Sequence, residues 1–275
     1  MYLVVGANGQ LGSELKDILK EKGMYVDKDE LDITNSNAVV NFFNKNKNIN
    51  AIINCAAYTA VDKAENDIEL ATKINVEGPK NLAKVGLPII QISTDYVFDG
   101  EKNIPYTEND KTNPKSVYGK TKLAGEEEVS KNAKTAVIIR TAWLYSSYGN
   151  NFVKTMIRLG KEKESLNVVF DQVGTPTYAK DLAQAIVDIL PQIKEGTKEI
   201  YHFSNEGVCS WYDFSVEIMK ANNLKCKVYP IESKDYPTPA KRPSFSVLNK
   251  EKIKKTFNIK INHWRDSLNN CLKNM

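Results

Sequence analysis

Short apolar runs recur along the first half of the chain, and each gives way to a segment whose apolar residues return every third or fourth position. Tyr2-Leu3-Val4-Val5 opens the series, and beyond a glycine-rich turn Leu15, Ile18 and Leu19 fall at helical spacing. Met24-Tyr25-Val26 predicts a second strand, and residues 34–47 predict an amphipathic helix capped by Thr34 or Asn35. Ala51-Ile52-Ile53-Asn54 predicts a third strand, Leu87 to Ile92 a fourth, and Val137 to Arg140 the next. Helical material runs from Val61 through Asn75, and Pro79 should kink that run or start a new segment. Another helix spans Tyr118 to Val129. Strand and helix in alternation predict an α/β fold, a doubly wound parallel sheet of the Rossmann kind with right-handed crossovers.

After Ser146 the alternation loosens. Asn150-Asn151-Phe152 begins a helix through Gly160, residues 166–170 read as a strand, and a long helix runs from about Ala179 to Leu190. Residues 199–203 read as a late strand returning to the main sheet, and Ser210 as a helix N-cap. The organisation expected is a dinucleotide-binding domain over residues 1–145, with later returns near 177–205. A smaller substrate-binding lobe comes from residues 146–176 and 206–275.

Composition narrows the functional classes. Of 275 residues, 41% are apolar and 26% charged, and the net charge of +4 comes from 38 basic and 34 acidic side chains without blocks. Nucleic-acid and membrane partners therefore have no electrostatic support. The N-terminus lacks a basic region and its apolar run is too short for a signal peptide. The cysteines, Cys55, Cys209, Cys226 and Cys271, form no C-x-x-C, which suits a reduced cytoplasmic chain. His202 and His263 lack metal-ligand spacing, so they read as structural.

Candidate chemistry clusters where strands end. Gly6-Ala7-Asn8-Gly9-Gln10-Leu11-Gly12 lies between a strand and a helix, the context in which glycines cradle a pyrophosphate. Gly6 allows the tight turn, Gly9 lets phosphate approach the backbone, and Gly12 lets the helix pack on the strand. Asp32 is a candidate for the adenosine end, with a plain loop carboxylate nearly as good a reading. Asp27 and Lys28 pull in opposite directions on NADH against NADPH, which leaves that preference open. Small residues Ala56 and Ala57 at the end of the third strand leave room for a ligand. Ser93, Thr94 and Asp95 end the fourth. Tyr118 and Lys122 lie four apart, one turn from each other on a helix face. An ammonium beside a phenol favours the phenolate and lowers its pKa, and the Thr94 hydroxyl could hold a carbonyl against it. That is a constellation for protonating an alkoxide as hydride arrives. Lys241-Arg242 stands in a proline-rich loop that could reach a diphosphate, with surface solvation at equal odds.

These residues resemble the extended short-chain dehydrogenase/reductases through the glycine turn, Ser93-Thr94-Asp95-Tyr96-Val97-Phe98 and Tyr118-Gly119-Lys120-Thr121-Lys122. Ala56-Ala57-Tyr58-Thr59-Ala60-Val61-Asp62, Arg140-Thr141-Ala142-Trp143, Gly149-Asn150-Asn151-Phe152 and Arg242-Pro243 narrow the likeness to the branch that reduces dTDP-4-dehydro sugars. The resemblance implies hydride transfer from NADPH or NADH to the keto group of dTDP-4-dehydro-L-rhamnose. It implies Tyr118 as proton donor, Lys122 as the group that lowers its pKa and holds the nicotinamide ribose, and Thr94 as the carbonyl clamp. Gly6, Gly9, Gln10, Leu11 and Gly12 would face the pyrophosphate, Asp32 and Ile33 the adenine, and Ala56, Ala57 and Tyr58 the middle of the dinucleotide. Asp95, Trp143 and Asn151 would join Thr94 and Tyr118 on the sugar nucleotide. Some members of the family place Mg2+ at a homodimer contact, on a first-helix glutamate and carboxylates after a Pro-Thr turn. Glu14 matches, but Lys180 stands where an acid is expected, so no metal site is assigned. Two alternatives stay open: a nucleotide-sugar dehydratase or epimerase on the same fold, and a non-catalytic dinucleotide-binding regulatory subunit of methionine adenosyltransferase.

Overall fold

The computed structural model describes residues 1–275. In chain order the first half comprises β1 (Tyr2–Val5), α1 (Gln10–Leu19), β2 (Gly23–Val26), α2 (Ser36–Lys45), β3 (Ala51–Asn54), α3 (Val61–Ala64), α4 (Ile68–Thr72), α5 (Gly78–Ala83), β4 (Ile89–Thr94), α6 (Val117–Asn132) and β5 (Ala136–Thr141). The second half comprises β6 (Leu144–Tyr145), α7 (Phe152–Glu162), β7 (Ser165–Val169), β8 (Val173–Gly174), β9 (Thr177–Tyr178) and α8 (Ala179–Ile189). It ends with β10 (Lys198–His202), β11 (Cys209–Ser210), α9 (Trp211–Ala221), β12 (Lys227–Ile231), α10 (Glu251–Phe257) and α11 (Trp264–Leu272).

Six parallel strands form the central sheet in the order β10-β5-β4-β3-β1-β2. Successive strand residues face opposite sides, and both sides are buried, which is why these runs read as continuously apolar. Val4, Ile53, Ile90, Val137 and Ile139 pack under α1, α8 and α10 through Leu11, Leu15, Leu182, Ile186 and Phe257. Leu3, Val5, Ile52, Ile89 and Ile138 face the other way, toward Val39 and Phe43 of α2, Leu82 of α5 and Val129 of α6. The late strand expected at 199–203 is β10, which pairs with β5.

Two local findings depart from the sequence expectation. The helix expected from Val61 through Asn75 is broken: α3 and α4 are separate, and a π-helical turn at Lys73–Glu77 leads into α5. Pro79, in the first turn of α5, has no amide to donate to the preceding turn, and the wide turn accommodates that loss. β12 was not anticipated. It pairs in parallel with β7, and Pro230 within it is tolerated because β12 has no partner on its other edge.

β6, α7, β7, β9, α9 and α11 pack around a further apolar cluster that includes Tyr145, Val153, Phe214, Ile218, Trp264 and Leu268. Ser210 caps α9 through a reciprocal capping box with Asp213. No helix is long and apolar enough to cross a membrane.

Candidate active site

Strand order reverses between β1 and β3, and ligands of open α/β sheets bind at the carboxyl ends of strands flanking such a point. The glycine turn follows β1 there. Gly6 has φ +75°, and a Cβ on it would lie 2.7 Å from the Ala56 amide nitrogen, so both conformation and space demand glycine. A Cβ on Gly12 would lie 2.3 Å from the Gly6 carbonyl oxygen, so α1 can approach this closely only without a side chain. The first bond into α1 runs from Ser13 N to Gly9 O. Gly9 is the N-cap and has no side chain, so the amides of Gln10, Leu11 and Gly12 find no acceptor in the protein. Three free donors at the positive end of a helix suit a pyrophosphate. A cavity of about 410 Å³ continues from the turn, lined among others by Gly6, Gly9, Asp27, Lys28, Asp32, Ile33, Cys55, Ala56 and Ala57. The donor set and the glycine cradle fit a dinucleotide.

The expected contacts differ in how each residue can serve. Leu11 points into the core, so only its amide can face phosphate. Gln10 Oε1 accepts from Asn151 Nδ2 at 3.0 Å, tying the glycine turn to the start of α7. Asn151 is the N-cap of α7: its Oδ1 accepts from Lys154 N at 3.1 Å and its Nδ2 also donates to Ser146 O at 2.7 Å. With its carboxamide committed in this way, Asn151 braces Gln10 rather than reaching for substrate. Asp32 Oδ1 takes the Thr34 amide and hydroxyl at 2.9 and 2.7 Å, and its other oxygen is free for the adenosine end. Asp27 closes on the turn itself, accepting from Asn8 N at 3.0 Å and Lys28 N at 2.8 Å. The Tyr58 phenol donates to Asp67 at 3.1 Å and its amide to Asn75 Oδ1 at 2.9 Å. Asn75, which no sequence signal singled out, sits in the π-turn and also reaches Thr121 on α6 at 3.1 Å.

β4 and α6 deliver the candidate chemistry to the same rim. Ser116 caps α6 through Gly119 N, and a Cβ on Gly119 would lie 2.3 Å from Tyr96 O, so α6 starts tight against the end of β4. Thr94 Oγ1 donates to Asp95 Oδ1 at 3.0 Å. Burial pushes the Tyr118 phenol above its ordinary 10; hydrogen bonding from Thr94 pulls it down, and the charges on Asp95 and Tyr96 push it up. Lys122 follows one helical turn after Tyr118 on α6. A buried ammonium needs an acceptor, and Lys122 Nζ donates to Ile92 O at 2.7 Å. Burial pulls Lys122 down to about 8, against the opposing charge of Glu126 and the Cys55 thiol. Cys55, which bears on Lys122, also lines the cavity beside the glycine turn.

Aromatic side chains continue beyond Tyr118. Tyr96 meets Tyr118 edge-on, with centroids 5.5 Å apart. Burial lifts its phenol to about 12, and Arg242 lies 3.4 Å from its oxygen. Arg242 is held by Asp62 at 2.8 Å. Trp143 adopts φ +48°, a left-handed conformation unusual for a bulky residue, and stacks on Trp211 at 3.5 Å. Trp211, Phe152, Met156, Val168 and Arg242 line a second cavity of about 720 Å³. Asp95 lies on the inner side, its Oδ2 sealed from solvent without a well-formed partner.

The metal expected from some relatives does not fit. Glu14 is buried against the Ser146 hydroxyl, and burial raises its carboxyl above the ordinary range. Asp181 takes Asn205 Nδ2 at 2.6 Å and the Ser267 hydroxyl, so its charge is already satisfied. No group of three or more His, Cys, Asp or Glu side chains is placed to hold an ion.

With this geometry in place, comparison with known proteins is direct. A family model described as the RmlD substrate binding domain matches residues 1–275. The chain is 42% identical to the dTDP-4-dehydrorhamnose reductase of Aggregatibacter actinomycetemcomitans, over 98% of this chain and 97% of that protein. It is similar to the crystal structure of a dTDP-4-dehydrorhamnose reductase from Clostridium acetobutylicum, with a TM-score of 0.93, 48% identity and coverage of 99% and 98%. A dTDP-4-dehydrorhamnose reductase of Bacillus anthracis, solved in complex with NADP, gives a TM-score of 0.95 at 38% identity, covering 100% and 99%.

Proposed function

The chain belongs to the RmlD family, and from that premise we propose that it is the reductase that converts dTDP-4-dehydro-L-rhamnose to dTDP-L-rhamnose with NADPH or NADH. The observation that carries the reading is the meeting, at one sheet edge, of Thr94 from β4, Tyr118 and Lys122 from α6, and a glycine turn with three free amides. The reduced nicotinamide, when bound, supplies the hydride. The chain's own residues bind, orient and protonate. The Gln10, Leu11 and Gly12 amides hold the diphosphate bridge of the dinucleotide, and Asp32 with Ile33 the adenosine end. Thr94 holds the keto oxygen of the sugar, and Tyr118 gives that oxygen its proton. Burial keeps the phenol protonated until charge develops beside it, which is what an acid in the reductive direction requires. Lys122, fixed to Ile92 O, presents its ammonium to the nicotinamide ribose.

On the substrate side the Trp143–Trp211 stack and the apolar wall of the larger cavity accept the thymidine, and Arg242 offers a cation to the diphosphate. Elimination of water, as in a dehydratase, needs a base beside the acid. The residue after Asp95 is Tyr96, whose phenol is lifted to about 12 and cannot serve. Tyr118→Phe tests the assignment. Turnover should fall by ~10²–10⁴-fold with dinucleotide affinity nearly intact, and full turnover in that variant refutes it.

A further inference from the structure

The reading above, on which this inference rests, needs Lys122 charged at working pH although the residue is only 4% exposed. Burial alone works against that. The answer lies one turn further along α6. Tyr118, Lys122 and Glu126 follow one another at intervals of four, on one helix face. Glu126 is as buried as Lys122, and three groups hold its carboxylate. Arg140 Nε and Nη2, from β5, donate to it at 2.9 and 2.7 Å, and the Ser93 hydroxyl, from β4, donates to Oε1. Glu126 thus ties together the strand that ends in Thr94, the strand that leads to Trp143 and the helix that carries the acid. A buried ion pair is a poor way to gain stability, since apolar residues of equal volume often do as well or better. Such residues could not place a negative charge one turn from Lys122.

We infer that Glu126, braced by Arg140 and Ser93, is a positioning residue that keeps the Lys122 ammonium charged and fixed for dinucleotide binding and proton delivery. Arg140 reaches the carboxylate from β5, while the Glu126 charge opposes loss of the Lys122 proton. Other ionisable groups stand on elements packed against α6. Glu65, Lys73 and Glu77 precede β4, and Lys80 pairs with Glu128 at 3.6 Å. Cys55, Asp95 and Tyr96 lie at the sheet edge. Cys55 lies close enough to bear on Lys122 beside Glu126, but its thiol, pushed up to about 12 by burial, stays neutral.

The test is the pH dependence of NADPH binding, followed by fluorescence between pH 6 and 9, alongside that of kcat/KM. Glu126→Gln keeps the shape of the side chain and removes its charge. The alkaline limb of both profiles should move toward acid by about one pH unit, so that the affinity loss at pH 9 exceeds that at pH 6 by about tenfold. Ser93→Ala removes a brace and no charge, and its limb should stay put. If Glu126→Gln does not fold, Glu126→Gln with Arg140→Met leaves no unpaired buried charge and should show the same displacement. An unmoved limb, with loss uniform across pH, overturns the inference, as does an equal displacement in Ser93→Ala. If the wild type reduces no keto-sugar, the proposed function fails, while the binding limb still decides the role of Glu126.

Discussion

Replacing Asp95 by asparagine should stabilise this protein at neutral pH while impairing it. The Asp95 carboxyl is 2% exposed, and burial pushes it from 3.8 to about 6 despite hydrogen bonds from Ser246, Thr94 and nearby amides. A folded-state pKa above the unfolded one means that the unfolded chain ionises more readily, so stability falls as pH rises from about 4 to about 6. At about 1.4 kcal/mol per pH unit, the penalty reaches roughly 3 kcal/mol above pH 7 and about half that at pH 5. Asparagine carries no charge, but its amide must find an acceptor where Oδ2 had no well-formed partner. The expected gain is therefore about 1–3 kcal/mol at pH 8, or about 2–6 °C in Tm for a chain of this size. Thermal melts of wild type and Asp95→Asn at pH 5 and pH 8 check this, with kcat/KM measured beside them. The gain should be clearly larger at pH 8 and should come with lost activity, as expected where a strained group serves the substrate. A gain that is absent at pH 8, or equal at both values, refutes the reasoning.

Other expectations follow from single contacts. Gly12→Ala puts a methyl 2.3 Å from Gly6 O and 2.6 Å from the Ala7 Cα, both rigid backbone, so NADPH affinity by fluorescence titration and Tm should both fall. Arg242→Ala removes the cation offered to the substrate diphosphate. KM for the nucleotide sugar should rise about 10- to 100-fold, the usual worth of a charged hydrogen bond, with kcat changed far less. Lys122→Met should weaken turnover and dinucleotide binding together, because its ammonium serves both. Chelation with EDTA should leave Tm within about 1 °C of the untreated protein, since Glu14 is engaged by Ser146 and Asp181 by Asn205 and Ser267.

Most of the frame was legible because both faces of the sheet are buried. Runs such as Ala51–Asn54 and Val137–Arg140 can be little else between amphipathic segments. The glycine turn was legible from its steric demands, and Tyr118 with Lys122 from helical spacing. What sequence could not give was the use to which each polar atom is put. Asp27 and Asn151 carry chemistry that suits ligands, but their side chains satisfy backbone amides, a choice made only when chain segments meet. Lys122 turned to Ile92 O because the third dimension buried it. Glu126 had a signal that passed unused: a carboxylate one turn beyond Lys122 on the same face. β12 was hidden by Pro230 and by its mostly exposed side chains.

The central claim is tested most directly by following oxidation of NADPH, and separately NADH, at 340 nm with dTDP-4-dehydro-L-rhamnose generated in place, and identifying the sugar formed. Stoichiometric consumption of at least one of the two with appearance of dTDP-L-rhamnose, abolished in Tyr118→Phe, is the predicted result. Conversion of the sugar with a tightly held dinucleotide left unconsumed, or no conversion at all by the folded protein, contradicts it.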